Sequence, residues 1–129
     1  MLKKLSLWDA RHKKVLQLSG GMKRRFLICK ALVHKPKLLL LDEPTASLDP
    51  ASARDVRTKI RGFATQMSGG VLWASHNMYE VEEVCDRVLF MSHGKILLEG
   101  NPKTLPAQHG KKSLEDLFVT VAREPLTLV

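Results

Sequence analysis

Apolar segments in these 129 residues alternate between strand-like and helix-like spacing, and that order specifies an α/β fold. Three observations carry it. Leu38 to Leu41 and Val71 to Ala74 are short apolar runs, too short for helices and suited to strands covered on both faces in a parallel sheet. Segments with apolar residues three or four apart precede and separate them. Two further strand-like runs flank His93-Gly94, a two-residue hairpin signal that adds an antiparallel edge.

In chain order, Ser19 is placed to cap a helix whose apolar face is Met22, Phe26, Cys29 and Val33. Pro36 restricts its neighbour and closes that helix near His34. The strand Leu38 to Asp42 follows. Ala53, Val56, Ile60, Ala64 and Met67 mark a second amphipathic helix, entered through Pro50 and ended by Gly69-Gly70. Residues 71–75 form the next strand, and a short helix turns Met78, Val81 and Val84 inward. Residues 87–92 and 95–99 are the hairpin strands. After a proline-bearing turn, Leu114, Leu117, Phe118, Val121 and Ala122 form a last apolar helical face, with Ser113 and Asp116 spaced as a cap.

The length suits one compact domain with a real core. No apolar run approaches the ~18–20 residues of a membrane span, and the first residues, "MLKKLSLWDARHKK", do not resemble a signal peptide. Cys29 and Cys85 stand apart from any CxxC pair, so neither metal nor disulfide is indicated, and a reducing, cytosolic compartment is the default. The net charge of +8 is unevenly spread: residues 1–37 hold eleven Lys and Arg against one acid, Asp9. Such a basic third suits an anionic partner, whether nucleic acid, phospholipid or nucleotide phosphate, although charge alone equally fits a solvated helix face.

Chemistry concentrates in two places. "LLLLDEPT" ends a strand in two carboxylates, Asp42 and Glu43, at the sheet edge where α/β folds bind ligands. Alternation points the two differently, so one can serve a magnesium ion and the other a water. "LSGG" puts Ser19, Gly20 and Gly21 at a helix start, where free N–H groups attract anions and glycines let a phosphate come close.

"LSGGMKRR", "LLLLDEPT", "SLDP" and "ASH", in this order, resemble the nucleotide-binding domain of ABC transporters over about Gln17 to Pro102. The resemblance implies a P-loop NTPase-type (RecA-like) parallel sheet with flanking helices, preceded by part of the helical signature subdomain. It divides the chain into residues 1–36 (helical subdomain with signature), 37–104 (second half of the ATPase core) and 105–129 (C-terminal helix and tail). It further implies ATP and Mg²⁺ as cofactors. Ser19, Gly20 and Gly21 would contact the γ-phosphate of ATP bound on the opposite subunit. Asp42 matches the Walker B aspartate for Mg²⁺, and Glu43 the general base that orients the attacking water. Ser47, Leu48 and Asp49 match the D-loop at the dimer interface, and His76 the switch histidine at the γ-phosphate. The implied partners are a second nucleotide-binding domain and a transmembrane permease, at the cytoplasmic face of the membrane. "MKRR" and the tail "SLEDLFVTVA" look like the exporter branch.

No G-x-x-x-x-G-K-[ST] occurs in the 129 residues, and the family's adenine-stacking aromatic and glutamine loop are missing too. Relative to the family, the chain starts in the helical subdomain and keeps the second half, a truncated cassette expected not to hydrolyse ATP alone. An alternative is a non-catalytic subunit that offers its signature to a complete partner. A nucleic-acid-binding module is the third reading, but seven aromatics and no helix-turn-helix signal argue against it, so no nucleic acid is expected.

Overall fold

The Ser19 backbone is extended (φ −62°, ψ 164°), and its side-chain oxygen accepts the Met22 N–H at 3.2 Å. The chain therefore enters helix α1 (Gly20–Val33) already capped. Strand β1 (Leu38–Asp42), helix α2 (Pro50–Gln66) and strand β2 (Gly70–Ala74) follow. The computed structural model describes residues 2–123 and divides into two compact units between Ala74 and Ser75.

In the first unit β1 and β2 pair in parallel, from Leu38 opposite Gly70 to Asp42 opposite Ala74. Asp49 caps α2 by accepting the Ser52 N–H at 3.0 Å, with Pro50 beginning the helix. Leu39 packs in one core with Val56, Ile60 and Phe63 of α2 and Ile28, Cys29 and Leu32 of α1. Burial pushes the Cys29 thiol above its usual pKa. Leu5 and Leu7 complete this core from three single-turn 3₁₀ pieces, Leu2–Leu5, Trp8–Ala10 and Val15–Gln17. Arg25 Nη1 fastens them by donating to the Leu5 carbonyl at 3.2 Å.

Three expectations are corrected here. The strands are covered on one face only: Leu39 is 3% exposed, but its neighbour Leu40 is 65% exposed, and Leu38 and Leu72 are exposed as well. The cause is strand alternation, with α1, α2 and the N-terminal turns contributing to the core on one side. Second, Val33 is exposed, because α1 presents Ile28, Cys29 and Leu32 to Leu5 and Leu7. Third, Met67 is exposed at the C-cap of α2, and Phe63 fills the core instead. A Cβ on Gly69 would lie 2.6 Å from the Phe63 ring, so glycine is what lets the chain turn over it.

The second unit holds helix α3 (Met78–Val84), strands β3 (Val88–Ser92) and β4 (Lys95–Gly100), a four-residue helix α4 (Leu105–Gln108) and helix α5 (Leu114–Arg123). His93 and Gly94 both take positive φ, 48° and 74°, as a tight hairpin requires. Among the described residues β3 and β4 form their own two-stranded sheet rather than an edge of the parallel one, with a bulge between Phe90 and Met91. Arg87 and Glu99 pair across the strands at 2.7 Å. The core gathers Met78, Val81, Val88, Phe90, Leu105, Leu114 and Leu117, and the Phe90 and Phe118 rings lie 5.7 Å apart. Ser113 caps α5 through the Asp116 N–H, as expected, whereas Ala122 is exposed. No helix among the described residues is long and apolar enough to cross a membrane.

Candidate functional site

Where β1 ends, the chain makes a strained turn. Glu43 takes a left-handed conformation (φ 45°), unfavourable for a residue with a side chain. Its backbone is held on both sides. The Glu43 N–H donates to the Ala74 carbonyl at 2.9 Å, while its own carbonyl accepts the Ala46 N–H at 3.2 Å and a guanidinium N–H of Arg24. Asp42 is left exposed and Glu43 half-buried; because Glu43 lies beyond β1 in the left-handed turn, it is this turn and not strand alternation that sets the two carboxylates apart. Pro44 beyond them is buried. Ser47, a few residues on, is a second left-handed residue (φ 65°).

The start of α1 lies against this turn. Gly20, Lys23, Arg24, Asp42 and Pro44 are among the residues lining one cleft of about 400 Å³. The first helical glycine and the strand-end carboxylate therefore line one concavity, whose walls also include Lys23 and Arg24. A separate hollow of about 250 Å³, bounded by Leu2, Phe26, Cys29, Lys30, Val33 and His34, holds none of the candidate residues.

The two glycines differ in their surroundings. A Cβ on Gly21 would sit 3.2 Å from Leu48 Cδ2, so Gly21 admits the segment that precedes α2. A Cβ on Gly20 would meet nothing within 4 Å. Packing thus gives a reason for glycine at 21 and none at 20. Gly20→Ala is expected to leave stability unchanged or raise it by up to ~1 kcal/mol, through a less flexible unfolded chain. Gly21→Ala, whose methyl would press on Leu48 by a few tenths of an ångström, should be the less stable of the two. Urea unfolding of the two variants checks the contrast, and equal losses would contradict it.

Asp49 has a structural task in this molecule, capping α2. Hydrogen bonds from Ser52, from its hydroxyl first and its backbone N–H second, hold the carboxyl below the usual carboxylate value. In the second unit His76 is exposed in the bend before α3. The residues around it are tied: the Asn77 N–H donates to Ser75 Oγ at 3.1 Å, and Asn77 Oδ1 accepts the Glu80 N–H at 3.3 Å to cap α3. The Ser75 hydroxyl lies 3.4 Å from a carboxylate oxygen of Glu80, which is 2% exposed.

No group of three or more His, Cys, Asp or Glu side chains is arranged to hold a metal among the described residues. A lone carboxylate such as Asp42 still suits Mg²⁺, which takes one or two protein carboxylates and completes its shell with phosphate oxygens and water.

Residues 1–46 match the model of the family described as ABC transporter, a span that holds both Ser19–Gly21 and Asp42–Glu43. The chain belongs to the ABC transporter ATP-binding domain family. It is 36% identical, over 94% of its own length and 38% of the relative's, to the Nod factor export ATP-binding protein I of Rhizobium sp. (strain N33). It is 43% identical, over 69% of its length and 35% of the relative's, to the phosphonates import ATP-binding protein PhnC of Treponema denticola. A solved structure titled as the ATP binding subunit of an ABC transporter superposes with a TM-score of 0.81 at 25% identity, covering 95% of this chain and 51% of that one. Its fold is thus that of an ABC ATP-binding subunit: parallel strands with flanking helices. The chain spans 32–47% of the length of four curated relatives that it matches.

Several residues that shape this ABC segment escaped the sequence reading. Arg24 and Arg25 were read as charge, yet each ties α1 to another part of the first unit through a backbone carbonyl. Their signal was position: they fall in the first two turns of a helix that must be fixed against a strand end. Glu80 carried no signal, since a buried carboxylate looks like any acidic residue near a helix start.

Proposed function

We propose that this chain supplies the signature segment and the Walker B carboxylates of an ABC-type ATPase coupled to transport, with the phosphate grip provided by residues outside these 129. The observation that best supports this is the order of the motifs on the fold: Ser19–Gly21 at the capped start of α1, Asp42 and Glu43 at the end of β1, Ser47–Asp49 before α2 and His76 before α3.

In this reading Ser19, Gly20 and Gly21 approach the γ-phosphate of ATP bound on an opposite subunit, with the capped helix start contributing its positive end. Asp42 would hold Mg²⁺ together with phosphate oxygens, and the ion when bound neutralises charge on the transferring phosphoryl group. Glu43 accepts a proton from the attacking water, positioned by a backbone fastened at Ala74, Ala46 and Arg24. His76 meets the γ-phosphate, and Ser47, Leu48 and Asp49 cross to a second nucleotide-binding domain. The segment division at residues 36 and 104 belongs to the same reading. So do a permease partner, a place on the cytoplasmic face of the membrane, and a leaning to export; the two relatives above are named for opposite directions.

A second reading makes the chain a non-catalytic subunit that offers its signature to a complete ABC ATPase. The absence of G-x-x-x-x-G-K-[ST] from these residues is compatible with both readings.

Phosphate release from Mg-ATP tests both. The 129-residue chain alone is expected to show no turnover, because the lysine and hydroxyl that grip the phosphates and Mg²⁺ are not in it. Fusing the P-loop segment of a close relative before Met1 should produce turnover that Glu43→Gln abolishes. Turnover by the chain alone that Glu43→Gln abolishes would overturn the reading.

A further inference from the structure

No residue given a role at the proposed ATPase site falls among the first seventeen, although they lie within the span that matches the family. Leu5, Leu7 and Ala10 are buried and hold this segment on the core of the first unit. What remains faces solvent. Lys3, Lys4, Arg11, His12, Lys13 and Lys14 are all exposed, against a single acid, Asp9. Large apolar side chains stand among them: Trp8 and Val15 are exposed, and Leu16 is 89% exposed. A charged face that only needed solubility would gain nothing from a leucine in water.

The aromatic discriminates between anionic partners. Lys3 Nζ lies 4.7 Å and the Arg11 guanidinium 4.4 Å from the centre of the Trp8 ring, and Arg11 also donates to the Trp8 carbonyl at 2.9 Å. Single-stranded nucleic acid needs an open aromatic face on which a base can stack, and this ring is already engaged by two cations. A bilayer surface asks for something else: basic side chains at headgroup level, with Trp and Leu reaching the acyl boundary.

We infer that residues 3–16 form a docking surface for an anionic phospholipid bilayer. Lys3, Lys4, Arg11, Lys13 and Lys14 attract the headgroups, while Trp8, Val15 and Leu16 enter the interface. The surface works independently of nucleotide and rests on residues outside the proposed ATPase site.

Sedimentation of the purified chain with phosphatidylcholine vesicles, with and without phosphatidylglycerol, is the test. Binding should require phosphatidylglycerol and weaken as salt rises. Each basic residue near an anionic surface contributes about fivefold in affinity, so Lys13→Glu with Lys14→Glu should lose roughly 25-fold or more. Leu16→Ser should lose roughly tenfold, because a leucine no longer leaves water. Circular dichroism verifies that the variants fold, and Leu40→Thr, on the exposed face of β1, should bind like the wild type. Equal binding to neutral vesicles, or loss in Leu40→Thr alone, would mean that the sheet face and not this segment adsorbs, and would overturn the inference. Tight binding to a single-stranded RNA oligonucleotide, with none to anionic vesicles, would overturn it in favour of nucleic acid.

Discussion

With the P-loop segment of a relative fused before Met1, Glu43→Gln is expected to slow ATP hydrolysis by roughly 10²–10³ while leaving ATP binding intact. The carboxylate is what removes a proton from water, and an amide of the same size cannot. Phosphate contacts from Ser19 to Gly21 and from His76 would be unaffected, so the variant should accumulate as an ATP-bound dimer. Ser19→Arg should fail differently. It removes the oxygen that caps α1 at 3.2 Å and places bulk and charge beside the exposed Gly20, where a phosphate would dock. That variant should bind ATP in its own subunit and stay monomeric. Sizing each variant with Mg-ATP, alongside phosphate release, separates the two failures. If both stayed monomeric with full turnover, the roles given to Glu43 and to the helix start would be wrong.

The capped helix starts and the hairpin were legible because each rests on local chemistry. Ser19, Ser113 and the His93-Gly94 turn act within three or four residues of their own position. The α/β class was legible for the same reason, since strand and helix spacing are local patterns. What could not be read depends on distant partners. Leu5 and Leu7 are core residues only because α1 passes over them, and a 3₁₀ turn is too short to show a period. At the candidate site, the motif order named Asp42 and Glu43, but not the left-handed backbone at Glu43 or the Arg24 bond that holds it. Nor could motifs distinguish Gly21, which makes room for Leu48, from Gly20, which does not.

Leu39 and Leu40 should give opposite results on substitution although they are adjacent leucines in one strand. Leu39 lies in the core with Val56, Ile60 and Phe63, and truncating it to Ala removes buried methyl groups and leaves a cavity. The expected cost is ~2–5 kcal/mol, a large fraction of what a domain of this size has. Leu40 points to the other face, with exposed Leu38 and Leu72 for company. Leu40→Thr introduces a β-branched residue suited to a strand and removes apolar surface from water, so stability should change by less than ~0.5 kcal/mol. Its effect should appear in association instead. Three exposed leucines on two adjacent strands form a patch of the kind that drives self-association, and the wild-type chain is expected to form oligomers at micromolar concentration. Leu40→Thr should shift that distribution towards monomer, and adding Leu72→Thr should shift it further. Urea unfolding and light scattering on the same samples measure the two effects separately. A Leu40 variant as unstable as Leu39→Ala would mean that both faces of β1 are covered in solution. A wild-type chain that stays monomeric throughout would show that the leucine face is not sticky.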